Sequence, residues 1–89
     1  MASKTVTVGS TVGLHARPAT LIAEAAGGYE EDITLTLVGG DQGDKTDAAS
    51  ALMIMAMGAE HGDDVTVTSD NAAAVERIAA LIASNLDED

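Results

Sequence analysis

Polar and apolar residues alternate in three short segments of this chain, and this pattern constrains its fold more than any other feature of the sequence. The segments are residues 5–8, 33–37 and 65–68. A period of two residues is typical of a β-strand with one buried side and one side toward solvent. Because each strand keeps a polar side, the pattern predicts an antiparallel sheet that helices cover on one side only.

Segments with helical periodicity lie between and after these strands. Apolar side chains repeat every three to four residues from 16 to 26, and a pair of glycines follows where a helix would end. A second run of helix formers covers residues 48–57 and is closed by Gly58. A third helix is predicted to begin at the N-cap candidates Ser69 and Asp70. The buried stripe of this third helix is predicted to consist of Val75, Ile78, Ala79, Ile82 and Leu86.

The order of these segments predicts an α/β chain of the α+β type, an open-faced sandwich. Four antiparallel strands form the sheet and three helices cover one side of it, in the order βαββαβα. The third strand is weak and lies beside a turn-rich, acidic segment within residues 39–47. A length of 89 residues fits one domain and the sequence contains no internal repeat, so residues 1–89 are predicted to form a single domain.

The charge balance of the chain is strongly acidic. Its 15 Asp and Glu residues oppose four Lys and Arg residues, which leaves a net charge of -11. Nucleic acids and anionic lipids are bound by basic surfaces, so this balance argues against both as partners. The charge either steers the chain toward basic partners or serves its solubility in the cell, and both interpretations stay open from the sequence.

Composition also narrows the classes of site that the chain can form. The chain has no cysteine, which excludes disulfides, thiolate metal ligands and thiol nucleophiles. Its two histidines, His15 and His61, are too few for a typical metal site, so we expect none. The first residues lack the apolar run of a signal peptide, and no stretch is long enough to span a membrane, so a cytoplasmic protein is expected.

Residues 13–19, with the sequence Gly-Leu-His-Ala-Arg-Pro-Ala, concentrate the scarce residues of the chain. Pro18, the single proline, is tolerated in the first turn of a helix, which predicts a helix start at about Ala16. The N–H groups and partial positive charge of such a helix end suit an anion, and the Arg17 guanidinium matches phosphate oxygens. From the residues alone, His15 is either an ordinary surface or capping residue or a nucleophile toward phosphorus.

This motif resembles the active-site motif of HPr, the histidine-containing phosphocarrier family of the bacterial phosphoenolpyruvate-dependent sugar phosphotransferase system. The likeness extends over nearly the whole chain, including its length, the order of its segments and residues 49–58. It is greatest to the members from actinobacteria. The resemblance implies the HPr fold and the role of a carrier, not of an enzyme, that uses no cofactor and works as a monomer.

The resemblance also implies a role for each side chain of the motif. His15 would accept a phosphoryl group on Nδ1 from phosphorylated Enzyme I and pass it to the IIA domain of a sugar permease. Arg17 would stabilise the phosphate, and the backbone N–H groups of Ala16 and Arg17 would donate hydrogen bonds to it. Pro18 would fix the start of the helix.

Both partners of such a relay must dock on a face around His15. An apolar rim for this docking is predicted to consist of Ala16, Thr20 and Leu21 on the first helix with Leu52 and Met55 on the second. On helical spacing alone, Met53, Ile54 and Met57 are predicted to be core or half-buried residues instead.

Ser50 aligns with the serine that is phosphorylated for regulation in many Gram-positive members of the family. The resemblance would therefore add a serine kinase and a transcriptional regulator to the partners. Serine is also favoured at the start of a helix without any regulation, and from the residues we favour this structural role. The chain departs from the family pattern at Ala49, where lysine is frequent, and at Val12, where some relatives have a hydroxyl or an amide.

The alternative function is that of a regulatory protein with the same fold. Such a protein would act in carbon catabolite control by docking, without relaying a phosphoryl group. Relatives of that kind are expected to have lost the histidine, so the presence of His15 favours the carrier.

Overall fold

The alternating segments form the strands of one sheet in the computed structural model, which describes residues 1–11, 13–39 and 45–84. The elements follow the predicted order and are β1 (Ala2–Thr7), α1 (Ala16–Gly27), β2 (Ile33–Leu37), β3 (Thr46–Asp47), α2 (Ala51–Met57), β4 (Asp64–Ser69) and α3 (Ala72–Ala83). The predictions for Val12, residues 40–44 and Leu86 lie outside the described residues.

The sheet has the strand order β1-β4-β2-β3, and neighbouring strands are antiparallel. β4 lies between β1 and β2, so Val65 is level with Val6 on one side and with Leu37 on the other. Side chains that are level across neighbouring strands point to the same side of a sheet. Val65 and Val67 therefore face the helices and are fully buried, whereas Thr66 between them faces away from the helices.

The helices cover one side of this sheet and enclose a core of aliphatic side chains. Ile22 of α1 and Ile54 of α2 are fully buried there. Tyr29, the single aromatic residue of the chain, is half-buried and packs against the core. The predicted stripe of α3 is confirmed for its described members, which are Val75, Ile78, Ala79 and Ile82. The open-faced sandwich is therefore confirmed as the fold.

β1 is longer at its amino end than the alternating pattern predicts. The strand pairs with β4 from Ala2, level with Ser69, so it begins before residue 5. Val8 lies just beyond the strand but is still buried, and its N–H donates to the carbonyl oxygen of Asp63 at 2.8 Å. Backbone pairing with β4 thus extends the strand into a segment whose side chains do not alternate.

α2 begins later than predicted because a turn forms before it. The carboxylate of Asp47 accepts the N–H of Ala49 at 2.9 Å, and the carbonyl oxygen of Asp47 accepts the N–H of Ser50 at 3.0 Å. The helix therefore begins at Ala51, not at residue 48. Aspartate readily forms such turns, since its short side chain reaches the backbone two residues on.

The N-cap of α3 is Asn71, so the prediction of Ser69 or Asp70 is wrong. Ser69 is the last residue of β4, and its hydroxyl accepts the N–H of Asn71 at 3.1 Å. The side-chain oxygen of Asn71 then accepts the N–H of Ala74 at 3.2 Å. Serine, aspartate and asparagine are equally good N-caps, so the register of the helix on the sheet selects among them.

Only part of α2 faces the core as predicted. Ala51, Ile54 and Met57 form its inner side, with Ile54 fully buried and the other two half-buried. Met53 is 44% exposed, so the prediction of a core or half-buried position is wrong for this residue. Successive helical residues are turned by about 100° from each other, so Met53 lies along the surface when Ile54 points into the core.

Candidate functional site

His15 lies at the N-cap of α1 with an extended backbone of φ -83° and ψ -163°. Its carbonyl oxygen accepts the N–H of Ala19 at 2.9 Å and so begins the helix. The imidazole, however, makes no capping hydrogen bond and is exposed. Because an N-cap side chain commonly accepts a hydrogen bond from the first turn, this arrangement leaves the His15 ring accessible to a partner.

The loop before His15 is held by contacts with the segment that follows α2. Gly13 has φ +77°, and a Cβ at this position would lie 2.7 Å from the carbonyl oxygen of Ala59. The N–H of Leu14 donates to that same carbonyl oxygen at 3.0 Å, and the Leu14 side chain is buried. Glycine adopts this backbone conformation without strain and leaves room for the close approach. These contacts fix the backbone immediately before His15.

The first turn of α1 presents backbone N–H groups beside His15. The helix begins at Ala16, as predicted, so no earlier turn of the helix can accept the N–H groups of Ala16 and Arg17. Pro18 has no N–H and is buried, whereas Ala16 and Arg17 are exposed. No acidic residue lies in this first turn. The arrangement offers hydrogen bonds and a partial positive charge to an anion next to His15.

Arg17 contributes the guanidinium group of this helix end. It is exposed, follows His15 by two residues, and is the only Lys or Arg between Lys4 and Lys45 in the sequence. Lys4 belongs to β1, where its Nζ pairs with the carboxylate of Glu76 on α3 at 3.2 Å. Arg17 therefore supplies the positive side-chain charge at the start of α1, with a planar fork that matches phosphate oxygens.

Six exposed residues on the outer sides of α1 and α2 form a surface that we refer to as the α1–α2 face. It comprises Ala16, Thr20, Leu21, Leu52, Met53 and Met55. The two helices pack against each other, and Leu52 is 76% exposed. Large apolar side chains exposed together on neighbouring helices favour contact with another protein. Sequence reasoning missed Met53 as a member of this face.

Ser50 is the N-cap of α2, as the structural interpretation of this serine predicts. Its Oγ accepts the N–H of Met53 at 3.3 Å, and the residue is half-buried. The helix ends at Gly58, whose φ of +74° is the left-handed conformation typical of a closing glycine. The predicted end of this helix is confirmed.

The second histidine, His61, lies in an exposed turn between α2 and β4. Within residues 1–11, 13–39 and 45–84, no three His, Cys, Asp or Glu side chains are arranged to hold a metal ion. No helix in the described part of the chain is long and apolar enough to cross a membrane.

Comparison with known proteins connects this site to a family. The family model for the phosphorylation site of the HPr component of the phosphotransferase system matches residues 2–84. The chain is also 38% identical to the phosphocarrier protein HPr of Streptomyces coelicolor over 91 aligned residues, which cover 99% of this chain and 95% of that protein.

Two solved structures extend the comparison to the fold. The phosphocarrier protein HPr of Bacillus anthracis superimposes with a TM-score of 0.80 at 30% identity, covering 91% of this chain and 95% of that one. Crh, the catabolite repression containing protein of Bacillus subtilis, gives a TM-score of 0.67 at 29% identity over 92% of this chain and 93% of its own, and forms a domain-swapped dimer. With a family model that matches almost from end to end, these relatives show that the chain belongs to the HPr family, the phosphocarriers of the phosphotransferase system.

Proposed function

We propose that His15 of this chain accepts a phosphoryl group from phosphorylated Enzyme I and passes it to the IIA domains of sugar permeases. The observation that carries the proposal is the exposed imidazole at the start of the twelve-residue helix α1, whose first turn contains no acidic residue. An anion formed on that imidazole would meet the positive end of the helix. Membership of the HPr family supports the same role.

The transfer itself follows from the groups around the imidazole. Nδ1 of His15 attacks the phosphorus of the donor, and the bond from phosphorus to the donor breaks. The charge of the transferred group is spread over its equatorial oxygens, so hydrogen-bond donors fixed nearby lower the barrier. The N–H groups of Ala16 and Arg17 and the Arg17 guanidinium supply these donors. Transfer to a IIA domain is the same step in reverse, with a new acceptor.

The support for His15 is rigid on both sides. Before it, Gly13 and Leu14 are held against the carbonyl oxygen of Ala59, and after it Pro18 is buried in the first turn. A fixed backbone positions the reacting ring without ordering a loop during each transfer. The carrier therefore needs little rearrangement as it moves between donor and acceptor.

The α1–α2 face is the surface that we propose for both partners. Leu52, Met53 and Met55 are exposed on α2, and Leu21 is exposed on α1. The hydroxyl of Thr20 donates to the carbonyl oxygen of Ala16 at 2.7 Å, so a partner meets mainly apolar atoms there. Methionine side chains are flexible and repack against different surfaces, which suits a carrier that binds a donor and several acceptors in turn.

The same proposal covers the setting in which the carrier works. It acts as a monomeric, single-domain protein of the cytoplasm, as a substrate and donor for enzymes and not as an enzyme itself, and it uses no cofactor. One hydrophobic cluster that joins the sheet to the helices supports the single domain. Because Crh forms a swapped dimer, the oligomeric state of this chain should be measured alongside its transfer activity.

For Ser50 we favour the structural role over regulation by a serine kinase. Its Oγ accepts the N–H of Met53 at 3.3 Å, and no transfer step requires it. The purely regulatory alternative, which resembles Crh in fold, is disfavoured because the chain keeps His15 exposed at the helix start. The exposed imidazole has no role in a function that rests on docking alone.

Incubation with Enzyme I and radiolabelled phosphoenolpyruvate tests the proposal. The label is expected on one site that is labile in acid and stable in alkali, as a phosphohistidine is. His15→Ala should abolish the label, while the matched control His61→Ala should retain it. A label that persists in His15→Ala would overturn the assignment of the acceptor.

A further inference from the structure

Positive side chains are absent from long stretches of this chain. Its four Lys and Arg residues stand at Lys4, Arg17, Lys45 and Arg77. The rest of α1, all of α2 and the segment from α2 to β4 therefore carry no Lys or Arg. None of these segments therefore contributes a Lys or Arg side chain to the border of the α1–α2 face.

Glu24 carries one of these charges on α1. It is exposed and follows Leu21 by three residues and Arg17 by seven. Helical residues three, four and seven apart share one side of the helix, so Glu24 lies on the same outer side as Thr20 and Leu21. Seven residues span about 10 Å along the helix, which separates this carboxylate from the phosphate site.

Glu60 carries a second negative charge, beside the loop that leads to His15. It is exposed, and its N–H donates to the carboxylate of Asp63 at 2.9 Å. Its Cα lies 3.0 Å from the position that a Cβ on Gly13 would take, so its backbone is adjacent to the loop that presents His15. The apolar α1–α2 face therefore has one carboxylate, Glu24, on α1, and a second acidic residue, Glu60, beside the loop that presents His15.

A partner must complement both properties of this face. Exposed Leu and Met side chains are covered best by apolar side chains, whereas acidic residues at the border repel an acidic partner and attract a basic one. The chain as a whole has a net charge of -11, which adds long-range attraction to a basic surface. Arg17 is an exception that lies at the phosphate site itself.

We propose that the surface of Enzyme I that docks on the α1–α2 face is an apolar patch bordered by lysine and arginine side chains, which pair with Glu24 and Glu60. This inference rests on the proposed function and adds the chemistry of the partner. It gives the acidic residues of the chain a role in the recognition of Enzyme I at this face.

The first test is the salt dependence of transfer from the Enzyme I of the same organism. We expect kcat/KM for His15 phosphorylation to fall by about fivefold or more. The KCl concentration of the assay is raised from about 0.1 M to about 1 M, which shortens the screening length from about 10 Å to about 3 Å. Circular dichroism at each salt concentration ensures that folded chains are compared.

Charge-reversal substitutions test which acidic residues cause the salt dependence of kcat/KM. Glu24→Lys and Glu60→Lys are each expected to lower kcat/KM by about fivefold at low salt, and the difference should vanish at high salt. Asp70→Lys is the matched control, because it changes the net charge from -11 to -9 as the other two do. Asp70 is exposed beyond the end of β4 that pairs with Ala2, whereas the loop to His15 leaves the sheet at the other end of β1.

The outcomes separate the inference from the proposed function. An equal loss in Asp70→Lys and Glu24→Lys would overturn the inference, since net charge alone would then govern association. Faster transfer in Glu24→Lys or Glu60→Lys would also overturn it, because the partner surface would then be acidic. In either case label on His15 of the unsubstituted chain leaves the carrier function standing, whereas no label at any salt concentration overturns that function and the inference with it.

Discussion

The starts of α1 and α2 differ in what the N-cap side chain does. The N-cap of α2, Ser50, accepts the N–H of Met53 at 3.3 Å, and the N-cap of α3, Asn71, accepts that of Ala74 at 3.2 Å. At α1 the N-cap is His15, whose side chain makes no capping hydrogen bond. Among the helices in the described ranges, α1 therefore lacks the side-chain cap that the other two have.

If His15 has the proposed role, this difference assigns the chemistry to α1 and a local contribution to stability to α2. A good N-cap side chain contributes about 0.5 to 2 kcal/mol of stability. α1 forgoes that contribution, and its first turn keeps donors for an anion. Its start is held instead by the tertiary contacts of Gly13 and Leu14 with the segment after α2. α2 is capped locally and presents exposed apolar residues.

The largest effect is expected for His15→Ser. Transfer from Enzyme I should be lost completely, while the new hydroxyl should cap α1 and raise the free energy of unfolding by about 0.5 to 1 kcal/mol. The label on the chain and urea denaturation measure the two effects. His61→Ser should change neither quantity. A less stable His15→Ser chain would show that His15 already serves the helix and would break the comparison.

Gly13→Ala is expected to lower the free energy of unfolding by about 1 to 3 kcal/mol and to slow transfer. The new Cβ would lie 2.7 Å from the carbonyl oxygen of Ala59, on a backbone with φ +77°. Gly27→Ala is the control, because the Cβ that it adds at the end of α1 meets no atom within 4 Å other than those of its chain neighbours and of the adjoining helix backbone. An unchanged melting curve for Gly13→Ala would show that tertiary contacts do not replace the missing cap.

Ser50→Ala should remove the side-chain cap of α2 and lower the free energy of unfolding by about 1 kcal/mol. The rate of phosphoryl transfer to His15 should change by less than about twofold. The substitution slightly raises the unfolded fraction of the chain but removes no group that takes part in the transfer. Ser3→Ala, an exposed serine on β1, is the control of equal size. If the transfer rate falls by more than the loss of stability accounts for, Ser50 also has a role in docking or in the transfer itself.

Leu52→Ser is expected to have the smallest effect on stability, within about 0.5 kcal/mol, because the side chain is 76% exposed. KM for Enzyme I should rise by about threefold or more if this residue contacts the partner. Val38→Ser, at an exposed position after β2, should leave KM unchanged. Equal KM values for Leu52→Ser and the unsubstituted chain would exclude Leu52 from the docking surface.

Local patterns in the sequence predict most of the fold. Alternation over residues 33–37 and 65–68 predicts two strands whose apolar members are largely buried, and Pro18 predicts the start of α1. Gly58 likewise predicts the end of α2. These features depend on residues within one strand or one helical turn, so they are visible without knowledge of the rest of the molecule.

Other features escape the sequence because their physical cause is not local. Helical spacing assigns Met53 to the core or a half-buried position, but α2 packs against the core through Ile54, which leaves Met53 on the surface. Cap preferences do not separate Ser69 or Asp70 from Asn71, and the end of β4 decides among them. Each case is settled by where an element packs and not by what its residues prefer.

The features of the candidate site fall into the same two groups, those visible in the sequence and those decided by packing. The sequence by itself determined the motif around His15, its position at a helix start, the absence of cysteine chemistry and the acidic balance of the whole chain. Only the tertiary structure decided that the carbonyl oxygen of Ala59 accepts from Leu14 and stands against Gly13, and that Glu60 therefore lies beside the loop to His15. The reason is physical: these residues are more than 40 positions apart in the chain, and the sheet and helices must pack before their backbones meet.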